Sequence, residues 1–470
     1  MRVMKNASIG DRASGEAPAF GADGRLQAHL AALEKLALGP SAGGRRAAAA
    51  GAGAALKSLQ RGLTGDRNLA GERYFSETYY LRAYLLYYWP VSFVQVTMAL
   101  EELRSRGELP AIRRILDIGA GPGPASFAAN DASAAIDASA AIGAAAGGAS
   151  EDDETCRQVS AVLVDWNAEA LEAARGLAAI EGLVPAAITV VQHDLEADPR
   201  LEGGPYDLIV ACHSVNELWK SRADALERRA ALLSQACGLL AEGGILLVVE
   251  PSATVTSRPA LALRDRLLAE AAAASVEESS ANGLRCAGPC PGSYPCPIAA
   301  AGGERSCHST WSWTPPRMVA DLASAAGLDR DSAKATWFAL KKEPAEAPSR
   351  QAAPAASPRS AIAGDAPGLA GRVVSEPMLN KAGRVRYILC TPDGLATLSA
   401  KRGDPAVQES GFLDLRRGDC LRASGLERRE GENNFGIAPG ARLELTFMAP
   451  DADGGHGPRR RSARGGRRAL

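Results

Sequence analysis

Leu116-Asp117-Ile118-Gly119-Ala120-Gly121-Pro122-Gly123 is a short apolar run that ends in an acid and opens into three glycines at alternate positions. Glycine lets a backbone pass close to a ligand and turn tightly into a helix, whose first N–H groups attract anions. Further apolar runs follow at Val159–Asp165, Ala187–Val191, Tyr206–Cys212 and Gly244–Glu250, after a first at Ile112–Ile118. Stretches with helical spacing separate them, among them Ala168–Glu181 and Arg222–Leu240. Strands that alternate with helices predict an α/β fold built on a doubly wound, Rossmann-like parallel sheet.

A glycine loop of this kind could serve a dinucleotide. The acids around it favour S-adenosylmethionine. Asp117 sits inside the motif at the strand end, where methyltransferases place an acid near the methionine amino group. Asp165 ends the second run, where a carboxylate can bind both ribose hydroxyls. Asp194 follows the third run, where an adenine contact is usual. The expected cofactor-binding set is Asp117, Gly119, Gly121, Gly123, Asp165 and Asp194. The loop after the fourth run, Cys212-His213-Ser214-Val215-Asn216-Glu217-Leu218-Trp219, lies where ligands bind in open sheets. His213 and Glu217 could act there as acid or base, or could serve only as local hydrogen-bonding groups. No Asn-Pro-Pro-Tyr-type motif and no base-methylating cysteine motif is present, so no catalytic residue or methyl acceptor is assigned.

Cysteines form the second constellation. Pro289-Cys290 and Pro295-Cys296-Pro297 frame a rigid Pro/Gly loop, Cys307 sits in Ser306-Cys307-His308, and Cys390 comes much later in Leu389-Cys390-Thr391-Pro392-Asp393-Gly394. Four cysteines ordinarily suggest zinc, but zinc sites favour close Cys pairs, and only Cys286/Cys290 qualifies. Wide, irregular all-thiolate spacing suits an iron–sulfur cluster equally. Spacing leaves both open.

The flanking segments define the organisation. Residues 1–55 read as a flexible N-terminus, with helical spacing at Leu26–Leu38 and a loose Ala/Gly-rich stretch over 40–55. Residues 56–110 form a helical region that holds six of the nine tyrosines, an aromatic packing core or a stacking surface. Pro90 should break its helix, and Ser92 can cap the next. The sheet domain covers 111–342, with an Ala/Ser/Gly-rich surface insertion at 130–156 and a Cys-rich insertion at 286–308. A helix over Met318–Ala326 and a strand over Ala335–Leu340 close it. A linker at 343–369, a small β-domain at 370–450 resembling a β-barrel, and a basic tail at 451–470 complete the chain.

These segments resemble a methyltransferase-like family that assembles the small ribosomal subunit, found in mitochondria and many bacteria. The glycine loop, Ser214-Val215-Asn216-Glu217-Leu218, Glu250-Pro251, the two proline-framed cysteines, Cys307-His308 and the Cys390 segment carry the resemblance, over roughly 70–395. It implies a 4Fe-4S cluster on Cys290, Cys296, Cys307 and Cys390, with zinc as the alternative, and binding to small-subunit ribosomal RNA. The chain departs from the family pattern in its 130–156 insertion, in Ser252 after Glu-Pro, and in Trp311 and Trp313 beyond Cys307.

Bulk properties set limits. With 53 basic and 54 acidic residues the net charge is -1, so any RNA contact must come from local patches. Six arginines between Arg459 and Arg468 form one such patch. Nine cysteines in 470 residues favour metal ligation in a reducing compartment over a disulfide scaffold. No apolar run is long enough for a membrane span. The amino terminus reads as neither a secretory signal nor a good transit peptide, which favours a bacterial cytoplasmic protein over one of the mitochondrial matrix. The leading expectation is a small-subunit assembly or translation factor, monomeric off the ribosome. An active RNA or ribosomal-protein methyltransferase is the first alternative, and a small-molecule methyltransferase with a structural zinc the second.

Overall fold

Helices come first in the chain. In the computed structural model, which describes residues 22–39, 42–72, 74–144, 159–183, 187–277, 283–328, 332–344 and 368–450, α1 spans Ala22–Leu38 and α2 Ala42–Gln60. The stretch expected to be loose is thus helical. Alanine has the highest helix propensity, and Ala52, Ala55, Leu56 and Leu59 recur on one face and are buried. α3 spans Thr78–Ala83 and α4 Trp89–Ser105, joined by a π-helical turn at Tyr84–Tyr88. Pro90 therefore does not break the helix, and Ser92 is buried inside α4 rather than capping it. Pro90 falls at the second position of α4, where the widened turn before it absorbs the missing N–H.

The central sheet follows. β1 is Arg114–Ile118, β2 Ser160–Asp165, β3 Ile188–Gln192, β4 Tyr206–Cys212 and β5 Leu240–Glu250. They run parallel in the order β3-β2-β1-β4-β5. α5 (Pro124–Ala144), α6 (Ala168–Ile180) and α7 (Ala225–Gly238) make the crossovers. The first part of the expected insertion simply continues α5, and the rest lies outside the described residues. α8, Thr254–Glu277, was not expected from the sequence. It leads to β6 (Leu284–Gly288), the short α9 (Pro297–Ala300), β7 (Ser309–Ser312), α10 (Arg317–Ala326) and β8 (Ser332–Lys342). β8 inserts antiparallel between β5 and β6 and also pairs with β7. Apolar side chains fill both faces of the sheet, as a doubly wound fold requires.

The remaining strands close a barrel. β9 (Leu369–Val373), the two-residue β10 (Met378–Leu379), β11 (Arg384–Thr391), β12 (Gly394–Lys401), α11 (Pro405–Glu409), β13 (Cys420–Arg428) and β14 (Asn434–Phe447) follow in sequence. β11 pairs with β12, β12 runs parallel to β14, β14 pairs with β13, and β9 joins β13 back to β11. Counting only these five, the circuit is 1-2-3-5-4-1. This is the strand order of the OB barrel, whose second and third strands commonly carry oligonucleotides. Tyr387, Leu389, Leu398, Phe412 and Leu421 fill its interior. Most of the expected linker and the whole basic tail lie outside the described residues.

The docking of α1 on the sheet domain depends on one buried imidazole. His29 Nδ1 meets Glu181 Oε1 at 2.6 Å and its Nε2 meets Asp131 Oδ2 at 3.0 Å. Trp89, Phe93 and Phe127 surround the ring edge-on. Burial opposes its charge, but the Asp131 and Glu181 carboxylates more than compensate and raise its pKa to about 9. A raised folded pKa gives stability that is full below the unfolded value near 6.5 and is lost as pH rises through about 9. The shift corresponds to roughly 3 kcal/mol. Thermal melts between pH 7 and 10 should therefore fall steeply for the native chain, and His29→Gln should flatten that dependence while lowering stability at pH 7.

Candidate cofactor cavity and cysteine site

The carboxyl ends of β1 through β5 open into one cavity of about 360 Å³. It sits where the strand order reverses between β1 and β4, the place at which open α/β sheets bind ligands. Gly119 and Gly121, Asp165, Asp194, the loop from Cys212 to Leu218, and Pro251 to Ala253 form its floor and walls. Tyr74, Phe75, Tyr84 and Tyr88 from the N-terminal helices cover it. The tyrosine-rich segment thus divides its work, since Tyr87 is buried in the core while these four rings face the cavity.

The glycine loop is held by its acids. Gly119, Gly121 and Gly123 all have left-handed φ, at 65°, 52° and 77°. A Cβ on Gly119 would lie 2.3 Å from Ser214 Cβ, and one on Gly123 would press on Leu163. At Gly121 it would meet only Phe75, at 3.9 Å, so this glycine faces open space. Gly121 N–H donates to Asp165 Oδ2 at 2.8 Å, and Asn167 N–H donates to Asp165 Oδ1 at 2.8 Å. Trp166 N–H also bonds this carboxylate, and of its four lone-pair sites one is left for a hydroxyl from the cavity. Burial raises the Asp165 pKa against these bonds. Asp194 lines the cavity and accepts the N–H groups of Glu196 and Ala197. Asp117 is placed differently. It lies beneath the loop, where its Oδ2 accepts Ser126 N–H at 3.1 Å and Ser126 Oγ–H at 2.8 Å. Burial pushes its pKa up to about 7, against the Ser126 bonds. The cavity thus brings Gly119, Gly121, Asp165 and Asp194 together, while Asp117 and Gly123 support the loop from behind.

Glu250, Asn216 and Arg67 were given no site role from the sequence, whereas His213 and Glu217 were read as acid, base or local hydrogen-bonding groups. Glu250, ending β5, accepts Asn216 N–H at 2.9 Å and Asn216 Nδ2 at 2.5 Å. Arg67 donates to Asn216 Oδ1 at 2.7 Å, so the helical cover is tied to the β4 loop. Acids at the ends of β1 and β2 were given cofactor roles, whereas Glu250 was quoted only for the resemblance, and the same strand-end rule would have given it a role too. Glu217 lines the cavity and accepts Gly71 N–H at 2.9 Å. Burial raises its pKa to about 7, with Arg67 and Lys220 opposing. A cavity carboxyl that titrates near neutrality can take up or release a proton. His213 has φ 61°, and its Nε2 donates to Gln95 Oε1 at 2.7 Å while Gln95 Nε2 donates to Lys334 O.

The cysteines meet where the barrel touches the sheet domain. Cys296 and Cys390 share a small buried cluster with Leu261, Ile298 and Val374, and Cys307 packs against it. Tyr294 Oη lies 4.0 Å from Cys390 Sγ. Burial pushes the Cys307 thiol up to about 12 and raises Cys296 and Cys390. Cys290 is lowered, first by its hydrogen bond with the Cys286 thiol, with Arg264 and Arg372 also favouring its thiolate against burial. Both guanidinium groups are buried. Among the described residues no three His, Cys, Asp or Glu side chains close on one point as a single metal ion needs.

A family model described as mitochondrial small ribosomal subunit Rsm22 matches residues 78–403. The chain belongs to that family. This agrees with the segments that carried the resemblance. Among solved structures, the Rsm22-family chain is similar to a methyltransferase of Podospora anserina, at 19% identity over 32% of this chain and 51% of that one, with a TM-score of 0.21. It thus spans about half the length of that relative. It is also similar to the magnesium protoporphyrin IX methyltransferase of Synechocystis PCC 6803, at 12% identity over 61% and 97%, with a TM-score of 0.30. TrmN of Thermus thermophilus matches at 18% identity over 52% and 48%, with a TM-score of 0.26. No curated protein matches. The fold is a methyltransferase-type α/β sheet with a separate C-terminal β-domain, and the strand order carries that assignment.

The two cavity-lining glycines should respond differently to substitution. Gly121→Ala should cost about 1–2 kcal/mol, the price of a left-handed backbone with a side chain. Gly119→Ala adds a collision with Ser214 and should cost about 2–4 kcal/mol. Urea unfolding of the two variants beside the native chain measures the difference.

Proposed function

We propose that this chain is an assembly or translation factor of the small ribosomal subunit that binds S-adenosylmethionine in its cavity, holds a 4Fe-4S cluster and contacts ribosomal RNA. The observation that carries the reading is the seat of the barrel. In a chain of a ribosomal family, it brings Cys390 beside Cys296 and Cys307 of the insertion. The compartment is a bacterial cytoplasm or, as the family description has it, a mitochondrion, and off the ribosome the chain is a monomer.

Four thiolates match the all-cysteine donor set of an iron–sulfur cluster, with zinc as the alternative. Cys290, Cys296, Cys307 and Cys390 share one electrostatic environment. Arg264 and Arg372 provide buried positive charge beside them. A bound cluster supplies a cross-link among four thiolates and a redox centre. Cys290, Cys296 and Cys307 would hold it from the sheet domain and Cys390 from the barrel. Single Cys→Ser changes at these positions should remove iron and lower the melting temperature together, because binding energy here is also folding energy. Stoichiometric zinc without iron after anaerobic purification would count against the cluster.

Asp165 and Gly121 support the cofactor reading, since together they form an acceptor for a ribose hydroxyl beside a backbone open to a ligand. Calorimetry with S-adenosylmethionine should give binding heat for the native chain and none for Gly121→Val, whose side chain would enter the cavity. Absence of heat at millimolar cofactor with native protein would reduce the fold to a scaffold. Glu217 favours a second reading, active methyl transfer to RNA or a ribosomal protein, because its carboxyl can serve as a base at neutral pH.

The ribosomal assignment is tested by gradient sedimentation of lysate at low salt. The chain should travel with small-subunit particles. A protein that stays at the top of the gradient would overturn the reading.

A further inference from the structure

The outer face of the β11–β12 hairpin is divided in two. At one end, Cys390 and Leu395 are paired across the strands and pack into the cysteine cluster, so this half is covered by the insertion of the sheet domain. At the other end, Arg384 stands directly opposite Lys401. Arg386, two residues along β11, points to the same side. Lys381 lies in the turn before β11, and Arg402 follows β12 with its N–H bonded to Gly383 O, so it leaves on the side opposite Lys401, at the rim of the same end. Lys381, Arg386, Lys401 and Arg402 are exposed. None of these four is in an ion pair among the described residues, and Arg384, itself half-buried, keeps one buried guanidinium nitrogen without a hydrogen-bond partner. The acid nearest in sequence, Asp404, offsets at most one charge.

This arrangement works against folding. Like charges directly opposite on paired strands repel and destabilise a hairpin. A protein with net charge -1 has acids enough to neutralise the patch, yet elsewhere its arginines pair readily, as Arg285 does with Glu108 and Arg417 with Glu376. Three cations on one face of the strand pair that an OB barrel uses for oligonucleotides, with Lys381 and Arg402 at its rim, suit an anionic partner. The patch offers no aromatic ring for base stacking.

We infer that Lys381, Arg384, Arg386, Lys401 and Arg402 form a docking surface for the phosphate backbone of RNA, and that this end of the barrel, rather than its full face, is where the protein grips the small subunit. The inference rests on the proposed ribosomal function and deepens it. The grip is sequence-tolerant, since phosphate contacts position a protein without reading bases. It also explains why the cysteine insertion can occupy the other half of the face without blocking RNA.

The test uses the full-length chain and a fluorescein-labelled 20-nucleotide single-stranded RNA of mixed sequence, with affinity measured across a salt series. Native protein should bind with a steep salt dependence. The variant K381S/R386S/K401S/R402S should lose at least about tenfold in affinity at low salt, and its log–log slope should shrink by about 3, near 0.7 for each cation removed. The control R175S/R422S, which removes two arginines from other surfaces, should shift the slope by far less. Melting temperature separates a folding defect from a binding one, because removing Lys401 opposite Arg384 should leave stability unchanged or raised. A quadruple variant with the native slope would overturn the patch. If that variant still travelled with small-subunit particles as native protein does, the ribosomal function would stand without this surface. If native protein bound neither the RNA nor the particles, both readings would fall.

Discussion

One buried carboxylate holds the two halves of this protein together. Glu102, in α4, is fully buried, and its Oε1 lies 2.7 Å from Arg106 Nη2 and 3.7 Å from Arg372 Nη2. Arg372 belongs to β9 of the barrel and also donates to Ser309 Oγ, on the strand just after Cys307. Arg106 reaches Pro289 O, beside Cys290, and stacks over Phe447 at 4.0 Å. Removing one member of such a buried set leaves an uncompensated charge and costs about 3–5 kcal/mol. The network fixes the barrel against the helical region and, through it, places Cys390 at the cysteine insertion.

That placement separates the two candidate sites while keeping them on one framework. The cavity opens at the carboxyl ends of the parallel strands, whereas the cysteines gather beyond β6 and β8, at the seam with the barrel. β5 links them. Its last residue, Glu250, organises the Asn216 loop at the cavity, and its far partner β8 pairs with β6 and β7, which flank the cysteine loops. α4 links them again, since Gln95 contacts His213 at the cavity and Glu102 contacts Arg372 at the seam. A ligand at either site therefore bears on elements that also shape the other.

The parallel sheet was legible because its strands carry continuous apolar runs that end in acids or polar loops, a pattern set by burial on both faces. Tyr206–Cys212 was read to the residue, and the other strands within a few residues. α8 was not, because its apolar positions are diluted by alanine and charge and Pro259 interrupts the pattern. α2 was read as loose because Ala and Gly alternate there, although alanine supplies enough helix propensity once Leu56 and Leu59 find a core. At Pro90 the local rule failed because a π-turn, invisible in residue spacing, relieved the clash.

The sequence by itself determined the chemistry of the sites. Glycines at alternate positions, acids at strand ends and proline-framed cysteines are local features, and each is written in adjacent residues. Only the tertiary structure decided which of these residues share a space. Asp117 and Asp165 both end strands, yet the turn of the loop puts Asp165 in the cavity and Asp117 beneath it. The five cations of the barrel are scattered over more than twenty residues, and only the register of β11 on β12 sets Arg384 opposite Lys401. Strand pairing and buried ion pairs act between distant segments, so their outcome depends on the packing of the whole chain, which residue spacing does not encode.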